Sequence, residues 1–286
     1  MSEEKALENE QTADLAAVTE VEPSKNETYV CVRDDFDSLG LPDGVPLLIS
    51  PKTFKDERGC FCVSVNRDYN EYEGIEEAKW MSGILDRTVQ INRSISKPGV
   101  FRGFHAQKAP NCQGKLVECV SDTPVWDVIM DARPASKSFQ QFTVFKLTGS
   151  GMEKVWVPRG FLHGFLVPRY DVKREEDGSF TRLGFSLPAQ IQYFADNHYS
   201  PEDEVCVSPA ILLQIVVNTY RESFEKDPKT NYAMAGFLQT CLEDVGEDGG
   251  LGNLILSDKD LAGEDIKDFL ERVDNEFKES GTSWHG

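Results

Sequence analysis

Histidine is rare in this chain and occurs four times in 286 residues. Two of the four, His105 in RGFHAQ and His163 in RGFLHGFLV, lie in strand-like segments with glycine and aromatic residues beside them. Lys115 follows in QGKLV and Tyr193 in IQYFAD. A histidine near neutrality can act as a base, an ammonium group can stabilise an enolate oxygen, and a phenol can return a proton. Together these residue types predict proton transfer beside a carbonyl group, at a site inside a β-structure.

The strand that carries His105 predicts which side chains share that site. Successive side chains of an extended strand point to opposite faces. His105 and Gln107 are therefore expected to lie together in the interior, while Arg102 and Phe104 face the other way.

Each of these residues also has a structural explanation. A strand histidine is more often a hydrogen-bonded structural residue, Lys115 could extend along the surface, and Tyr193 could be a core aromatic with its hydroxyl at the rim. Two histidines with nearby carboxylates could also bind a metal, but HxH and HxxxxE spacings are absent. The third candidate, His198, lies in the polar segment DNHYSPEDE. Spacing alone leaves these alternatives open, and we expect neither a metal nor a cofactor.

The segments that must position these residues are short strands. Turn-forming residues separate a series of apolar segments: GKLVECV, PVWDVIMDA, QFTVFKL, EKVWVP and FLHGFLV. Closely spaced short strands predict an antiparallel sandwich or barrel and not alternating strand–helix units. The chain is therefore expected to be mainly β.

Composition divides the chain into three parts. Residues 1–26 are acidic and predict a disordered tail. Residues 27–206 contain the β core, with a polar loop inserted near residues 170–187. Residues 207–286 are expected to be mostly helical, because Ser208 and Pro209 form a helix start and AILLQIVVNTYRESF has apolar residues at helical spacing. The segment GEDIKDFLERVDNEFKES is expected to be the final helix.

Charge and cysteine content exclude several classes of function. Asp plus Glu total 49 and Lys plus Arg 30, so the formal net charge is −19, which argues against nucleic-acid binding. No uncharged apolar run approaches the length of a membrane span. The seven cysteines are odd in number and lack CxxC spacing, which predicts neither a disulfide framework nor a zinc ribbon. We expect a soluble, cytoplasmic protein without a nucleic-acid or membrane partner.

Several motifs in a fixed order resemble the dTDP-4-dehydrorhamnose 3,5-epimerase family. They run from about residue 45 to residue 260: PLLISPKTFKDERGCFCVS, RGFHAQ, QGKLV, VWDVIMDAR followed by SxxF, VPRGFLHGFLV, YFADNHYSPEDE and LILSDKDLAG. The resemblance implies a cupin-type jelly roll, an antiparallel β-sandwich here extended by a C-terminal helical region. That region would return to the core near residues 254–262. The implied function is an isomerase of dTDP-rhamnose biosynthesis that inverts C3, C5 or both in a dTDP-4-keto-6-deoxyhexose.

The resemblance also implies roles for four catalytic residues. His105 would be the base that removes protons beside the keto group, and Asp260 of LSDKD would orient its imidazole. Lys115 would lie by the enolate oxygen. Tyr193 would be the acid on the opposite face of the sugar ring, because protonation from the opposite face inverts a stereocentre.

Substrate binding is implied at six further positions. Arg58 of DERG and Arg102 match family positions that hold the diphosphate, for which guanidinium groups are suited. The sugar pocket would be lined by Gln90, Asn92, Gln107 and His163. The nucleotide end of the site would be shared across a homodimer.

The chain departs from the family at QINRS, where Ile91 and Arg93 replace an acid and a histidine. Two other functions remain open at this point. One is a 3,4-ketoisomerase of a similar sugar nucleotide, which also works through enolisation. The other is a non-catalytic cupin that binds a sugar nucleotide or a protein partner.

Overall fold

The computed structural model describes residues 46–51, 53–62, 64, 83–175, 180–210 and 254–285. The predicted acidic tail and most of the predicted helical insertion, residues 211–253, lie outside the described residues. In the part that is described, no helix has the length and apolar composition to cross a bilayer.

Two five-stranded antiparallel sheets form the body of the protein. The first has the order β1-β9-β6-β13-β4 and the second the order β14-β5-β10-β7-β8. The strands of the first sheet are β1 (Leu47–Ile49), β4 (Gln90–Ser96), β6 (Lys115–Cys119), β9 (Lys154–Val157) and β13 (Ala189–Ala195). Those of the second are β5 (Phe101–Gln107), β7 (Val125–Asp131), β8 (Phe142–Leu147), β10 (Phe161–Leu166) and β14 (Glu204–Cys206). This architecture confirms the predicted jelly roll.

Helices cover one face of the second sheet. They are α1 (Asp258–Leu261) and α2 (Ile266–Ser280). Two other helical segments occupy residues 83–87, where Ile84 packs with side chains of the first sheet, and Pro201–Asp203. Asp265 caps the start of α2 by accepting from the Lys267 backbone N–H, and Gly281 ends it at φ 68°. The predicted final helix is therefore confirmed.

The second sheet is buried on both faces. One face packs against the apolar side of α2, where Phe269 and Val273 lie among Phe104, Trp126 and Met130. The other face packs against the first sheet, where the core includes Val117, Ile129, Phe161, Phe165 and Ile191. This double coverage explains why all seven residues of β7 are buried.

Two hairpins stand apart from the large sheets. They are β2 (Thr53–Asp56) with β3 (Gly59–Cys62), and β11 (Tyr170–Arg174) with β12 (Phe180–Phe185). The second hairpin lies where the charge content predicted a polar loop near residues 170–187. Tyr170 pairs with Phe185, and their rings lie 4.9 Å apart between centroids. Cross-strand pairs of this kind stabilise the hairpin.

Strict alternation along β5 fails at Gly103. Phe101 and Phe104 pack together beneath α2, although an ideal strand would place residues three apart on opposite faces. The pairing register with β10 shifts at Gly164, and Gly103 has φ +131°. A Cβ atom on Gly103 would lie 2.6 Å from the Cα of Gly164. The two glycines thus permit a close approach and an irregularity that other residues would prevent.

This irregularity makes the prediction for Arg102 wrong. Arg102 was expected to face away from His105, but the shift at Gly103 places the two residues on the same face. The Arg102 Nε donates a 2.8 Å hydrogen bond to the Oγ of Ser96 on β4, in the opposite sheet. Arg102 therefore lies at the mouth of the interior that contains His105.

Candidate functional site

The inner face of the first sheet carries four of the predicted residues. Asn92 pairs in register with Tyr193, and Gln90 with Ala195. The Gln90 Nε2 donates to the Asn92 Oδ1 over 3.0 Å, and the Asn92 side chain hydrogen-bonds the Tyr193 hydroxyl. The Lys115 Nζ lies 5.7 Å from the centroid of the Tyr193 ring. These four side chains form a polar group on the inner face of the first sheet.

Burial changes the acidity of two of these groups. Burial lowers the pKa of the Lys115 ammonium, against the opposing effects of Cys112, Glu204 and Asp127. It also raises the pKa of the Tyr193 hydroxyl, and the negative charge of Glu204 adds to this effect. Tyr193 therefore stays protonated at neutral pH and is able to donate a proton.

The second sheet brings the two strand histidines together. His105 on β5 and His163 on β10 are direct cross-strand partners. Each histidine hydrogen-bonds one carboxylate through Nε2 over 2.7 Å, His105 with Asp260 and His163 with Asp127.

The carboxylate of Asp260 is held by the start of α1. Its Oδ1 contacts His105 and its Oδ2 accepts a 2.7 Å hydrogen bond from the Oγ of Ser257, the N-cap residue. Burial works to raise the pKa of Asp260, but the hydrogen bonds from His105 and Ser257 outweigh it and the pKa is lowered. An ionised carboxylate only accepts, so in the neutral imidazole the His105 Nε2 carries the proton and Nδ1 has the lone pair.

Asp127 is a site residue that the sequence analysis missed. It lies in the middle of β7, is 0% exposed, and bonds His163 through Oδ2. The signal that could have identified it is a charged residue inside the otherwise apolar run VWDVI, because buried carboxylates are almost always paired.

A second missed group lies beside His105 on the neighbouring strand. Glu204 of β14 pairs in register with Gln107 and accepts hydrogen bonds from the Tyr199 hydroxyl and the Lys259 ammonium. Burial works to raise the pKa of Glu204, yet the bonds from Lys259 and Tyr199 lower it overall. The motifs YSPEDE and LSDKD contained these residues, but their contact across 55 positions depends on the fold.

Gln107 lies inside as predicted. It is 3% exposed, and its Oε1 accepts a 2.9 Å hydrogen bond from the Ser200 backbone N–H. This bond ties the end of β5 to the turn before Glu204.

Arg58 is the one predicted residue that the structure does not bring to this cluster. It lies on the β2–β3 hairpin with its side chain 83% exposed, and its Nε donates to the Asp56 Oδ2 over 3.1 Å. Within the described part of the chain, Arg58 contacts no residue of the His105 cluster.

The departures from the family motif lie on the outer face of the first sheet. Ile91 is 58% exposed, and the Arg93 Nε donates to the Gln192 Oε1 over 3.1 Å. Gln90 and Asn92, which alternate with them, keep the inward direction. The substitutions therefore leave the inner wall of the site unchanged.

The fold and site define a cupin-type jelly roll whose interior holds a histidine–carboxylate pair beside a lysine and a tyrosine. The family model for dTDP-4-dehydrorhamnose 3,5-epimerase matches residues 42–174. The epimerase of that name from Salmonella typhimurium is 36% identical over 164 residues, which are 57% of this chain and 74% of that protein. The Escherichia coli epimerase is 34% identical over 158 residues, 55% of this chain and 71% of that protein. The chain belongs to the dTDP-4-dehydrorhamnose 3,5-epimerase family.

A solved structure supports the same assignment. The crystal structure of dTDP-4-dehydrorhamnose 3,5-epimerase from Elizabethkingia anophelis superposes with a TM-score of 0.51 at 28% identity. The match covers 78% of this chain and 92% of that chain.

Proposed function

We propose that the protein is a sugar-nucleotide epimerase that inverts C3, C5 or both in a dTDP-4-keto-6-deoxyhexose. The family assignment supports the substrate class, since the relatives are named for this reaction. The observation that carries the proposal is the 2.7 Å bond between His105 and Asp260 in the same interior as Lys115 and Tyr193.

The reaction begins at the carbon beside the C4 carbonyl. The Nδ1 of His105 takes the proton of that carbon, and the C–H electron pair moves to form an enolate whose charge lies on the C4 oxygen. The Lys115 ammonium stabilises this oxygen, and Asp260 stabilises the imidazolium. Tyr193 then protonates the carbon from the opposite face, and proton exchange with solvent restores His105 and Tyr193. Opposed faces of abstraction and protonation give inversion.

Substrate binding is assigned to the polar groups around this centre. Arg102 at the mouth of the interior binds the diphosphate, and the sugar lies against Gln90, Asn92, Gln107 and His163. Lys259 and Glu204 complete the wall beside His105.

Arg58 reaches a diphosphate only if the protein is a homodimer. Its hairpin lies apart from both large sheets and exposes Phe54 and Phe61 by 50% and 64%. Ile91 and Ile95 are likewise 58% and 63% exposed on the outer face of β4. We infer that these apolar groups meet a second copy, to whose site Arg58 contributes. Light scattering of the full chain checks this: a monomer at micromolar concentration contradicts it, and a dimer that dissociates in Ile91→Glu supports it.

We extend the same proposal to the domain organisation of the chain and to its cellular location. Residues 27–206 form the catalytic core and residues 207–286 an extension that supplies Asp260, while residues 1–26 lie outside the described residues. Free thiols at Cys60, Cys62, Cys112, Cys119 and Cys206 suit a reducing, cytoplasmic environment.

Solvent proton exchange tests the proposed reaction. The protein is incubated with dTDP-4-keto-6-deoxyglucose in deuterated water, and proton NMR follows C3 and C5. Deuterium at either carbon with inverted products is expected. A carbonyl that moves to C3 indicates a ketoisomerase, and thermal stabilisation by the ligand without exchange indicates a binding protein; either result overturns the proposal.

A further inference from the structure

Cys206 lies directly beside the histidine–carboxylate pair. It is the cross-strand partner of His105 in the pairing of β14 with β5, and such partners project to the same face. The Cys206 Sγ is 4.0 Å from the Oδ1 of Asp260, which in turn is 2.7 Å from the His105 Nε2. The nitrogen, sulfur and oxygen atoms of the three residues all lie within 4.8 Å of one another. The proposed reaction assigns no role to this thiol.

These atoms form a ligand set for one kind of ion. Imidazole nitrogen, thiolate sulfur and carboxylate oxygen are the ligands of Zn²⁺, at about 2.0–2.3 Å from the metal. Tetrahedral ligands at such bond lengths lie about 3.5 Å apart. Two of the observed separations are 2.7 and 4.0 Å, and the third lies within 4.8 Å, so displacements of about 1 Å admit the ion. The soft sulfur favours zinc-like ions over magnesium or calcium.

The three ligands all come from regular secondary structure. His105 comes from the central part of β5, Cys206 from the adjacent strand β14, and Asp260 from a helix start capped by Ser257. The His105 side chain is 30% exposed, which gives an ion a path and leaves its fourth position to solvent or substrate.

We propose that His105, Cys206 and Asp260 form a binding site for a thiophilic divalent cation of the zinc class, and that the bound ion reversibly stops proton transfer. The second half of this inference rests on the proposed function. On binding, the ion takes the lone pair of the His105 Nε2, the imidazole proton moves to Nδ1, and the thiol proton leaves to solvent. Nδ1 is then a donor and no longer accepts a proton from the sugar.

Cobalt binding tests the metal site independently of catalytic activity. Co²⁺ is added to the full, metal-free chain, and the thiolate-to-cobalt charge-transfer band in the near ultraviolet is recorded. We expect the band in the wild-type protein and in the control Cys60→Ser, and its loss in Cys206→Ser. The variant His105→Gln, which removes the nitrogen ligand but keeps the thiol, should weaken Co²⁺ binding at least about tenfold. Circular dichroism and thermal melting verify that each variant is folded.

Two results overturn the metal site. One is a wild-type protein without the charge-transfer band. The other is a band that persists in Cys206→Ser or disappears in Cys60→Ser, since either places the thiolate ligand elsewhere.

Inhibition by zinc tests the regulatory consequence. Deuterium exchange is measured with increasing Zn²⁺, and each variant is normalised to its own metal-free rate. We expect reversible inhibition that a chelator removes, with the half-inhibiting concentration at least about tenfold higher in Cys206→Ser. Equal half-inhibiting concentrations in the wild type and in Cys206→Ser contradict inhibition through the Cys206 site. A cobalt band without any exchange activity would retain the metal site and reject the proposed function, so the two failures are distinguishable.

Discussion

Two histidine–carboxylate pairs lie side by side in the sandwich, and they differ in access. In both, the histidine Nε2 and a carboxylate oxygen are 2.7 Å apart. The side chains of His163 and Asp127 are 10% and 0% exposed, whereas those of His105 and Asp260 are 30% and 5% exposed. The same bond therefore occurs once in a closed environment and once at the edge of an opening.

The origin of the carboxylate explains the difference. Asp127 is supplied by β7, the strand next to His163 in the same sheet, so its pair is sealed between the sheets. Asp260 is 155 positions from His105 and arrives on a helix beside the edge strand β14. Because Asp260 comes from outside the sheet, its pair lies at the sheet edge, and the His105 side chain stays 30% exposed. We therefore propose that the open pair carries out the proton transfer and that the closed pair supports the pocket wall.

The largest expected effect is on catalysis at the open pair. His105→Asn should reduce solvent deuterium exchange by about 10²–10⁴-fold, the usual contribution of a positioned base, with little change in the urea midpoint. The matched variant His163→Asn should instead lower the midpoint, because it leaves Asp127 buried with a poorer partner. If His163→Asn abolishes exchange while His105→Asn does not, the assignment of the two pairs is reversed.

The closed pair should dominate stability. Asp127→Ala removes one partner of a buried pair and should cost about 3 kcal/mol of unfolding free energy. Urea denaturation measures this cost, and substitution of the exposed Glu202 by alanine serves as the control on a surface carboxylate. An unchanged midpoint in Asp127→Ala shows that the closed pair contributes nothing to stability.

Ser257 provides an intermediate test of the open pair. Ser257→Ala removes the N-cap of α1 and the hydrogen bond to the Asp260 Oδ2, which should cost about 1 kcal/mol and lower the exchange rate. Ser257→Thr, which keeps the hydroxyl, should restore the rate. Equal rates for the alanine variant and the wild type contradict a positioning role for Ser257.

The smallest effect concerns pH. The pKa of Asp260 is lowered in the folded protein, so its ionisation stabilises the fold above the ordinary carboxyl range, and this contribution is lost as pH falls through the folded pKa. The difference in unfolding free energy between the wild type and Asp260→Asn should therefore shrink as pH falls below the usual aspartate value of 3.8. Urea titrations at several pH values measure it, and a difference that grows toward acid pH has the wrong sign.

Local rules of the chain determined much of the fold and part of the site. Alternation along strands predicted that His105 and Gln107 share the interior, and the segment GEDIKDFLERVDNEFKES was predicted to be the final helix, which lies at Ile266–Ser280. The ordered motifs identified the family from the sequence alone. These features depend on residues a few positions apart, which a sequence displays directly.

Other features depended on contacts between distant segments. The approach of Gly103 to Gly164 reversed the direction of Arg102, and the placement of β7 next to β10 paired Asp127 with His163. The segment near residues 170–187 forms a hairpin, in which β11 pairs with β12. Side-chain direction and carboxylate partners follow from which strands become neighbours, and that choice is made by packing of the whole sandwich.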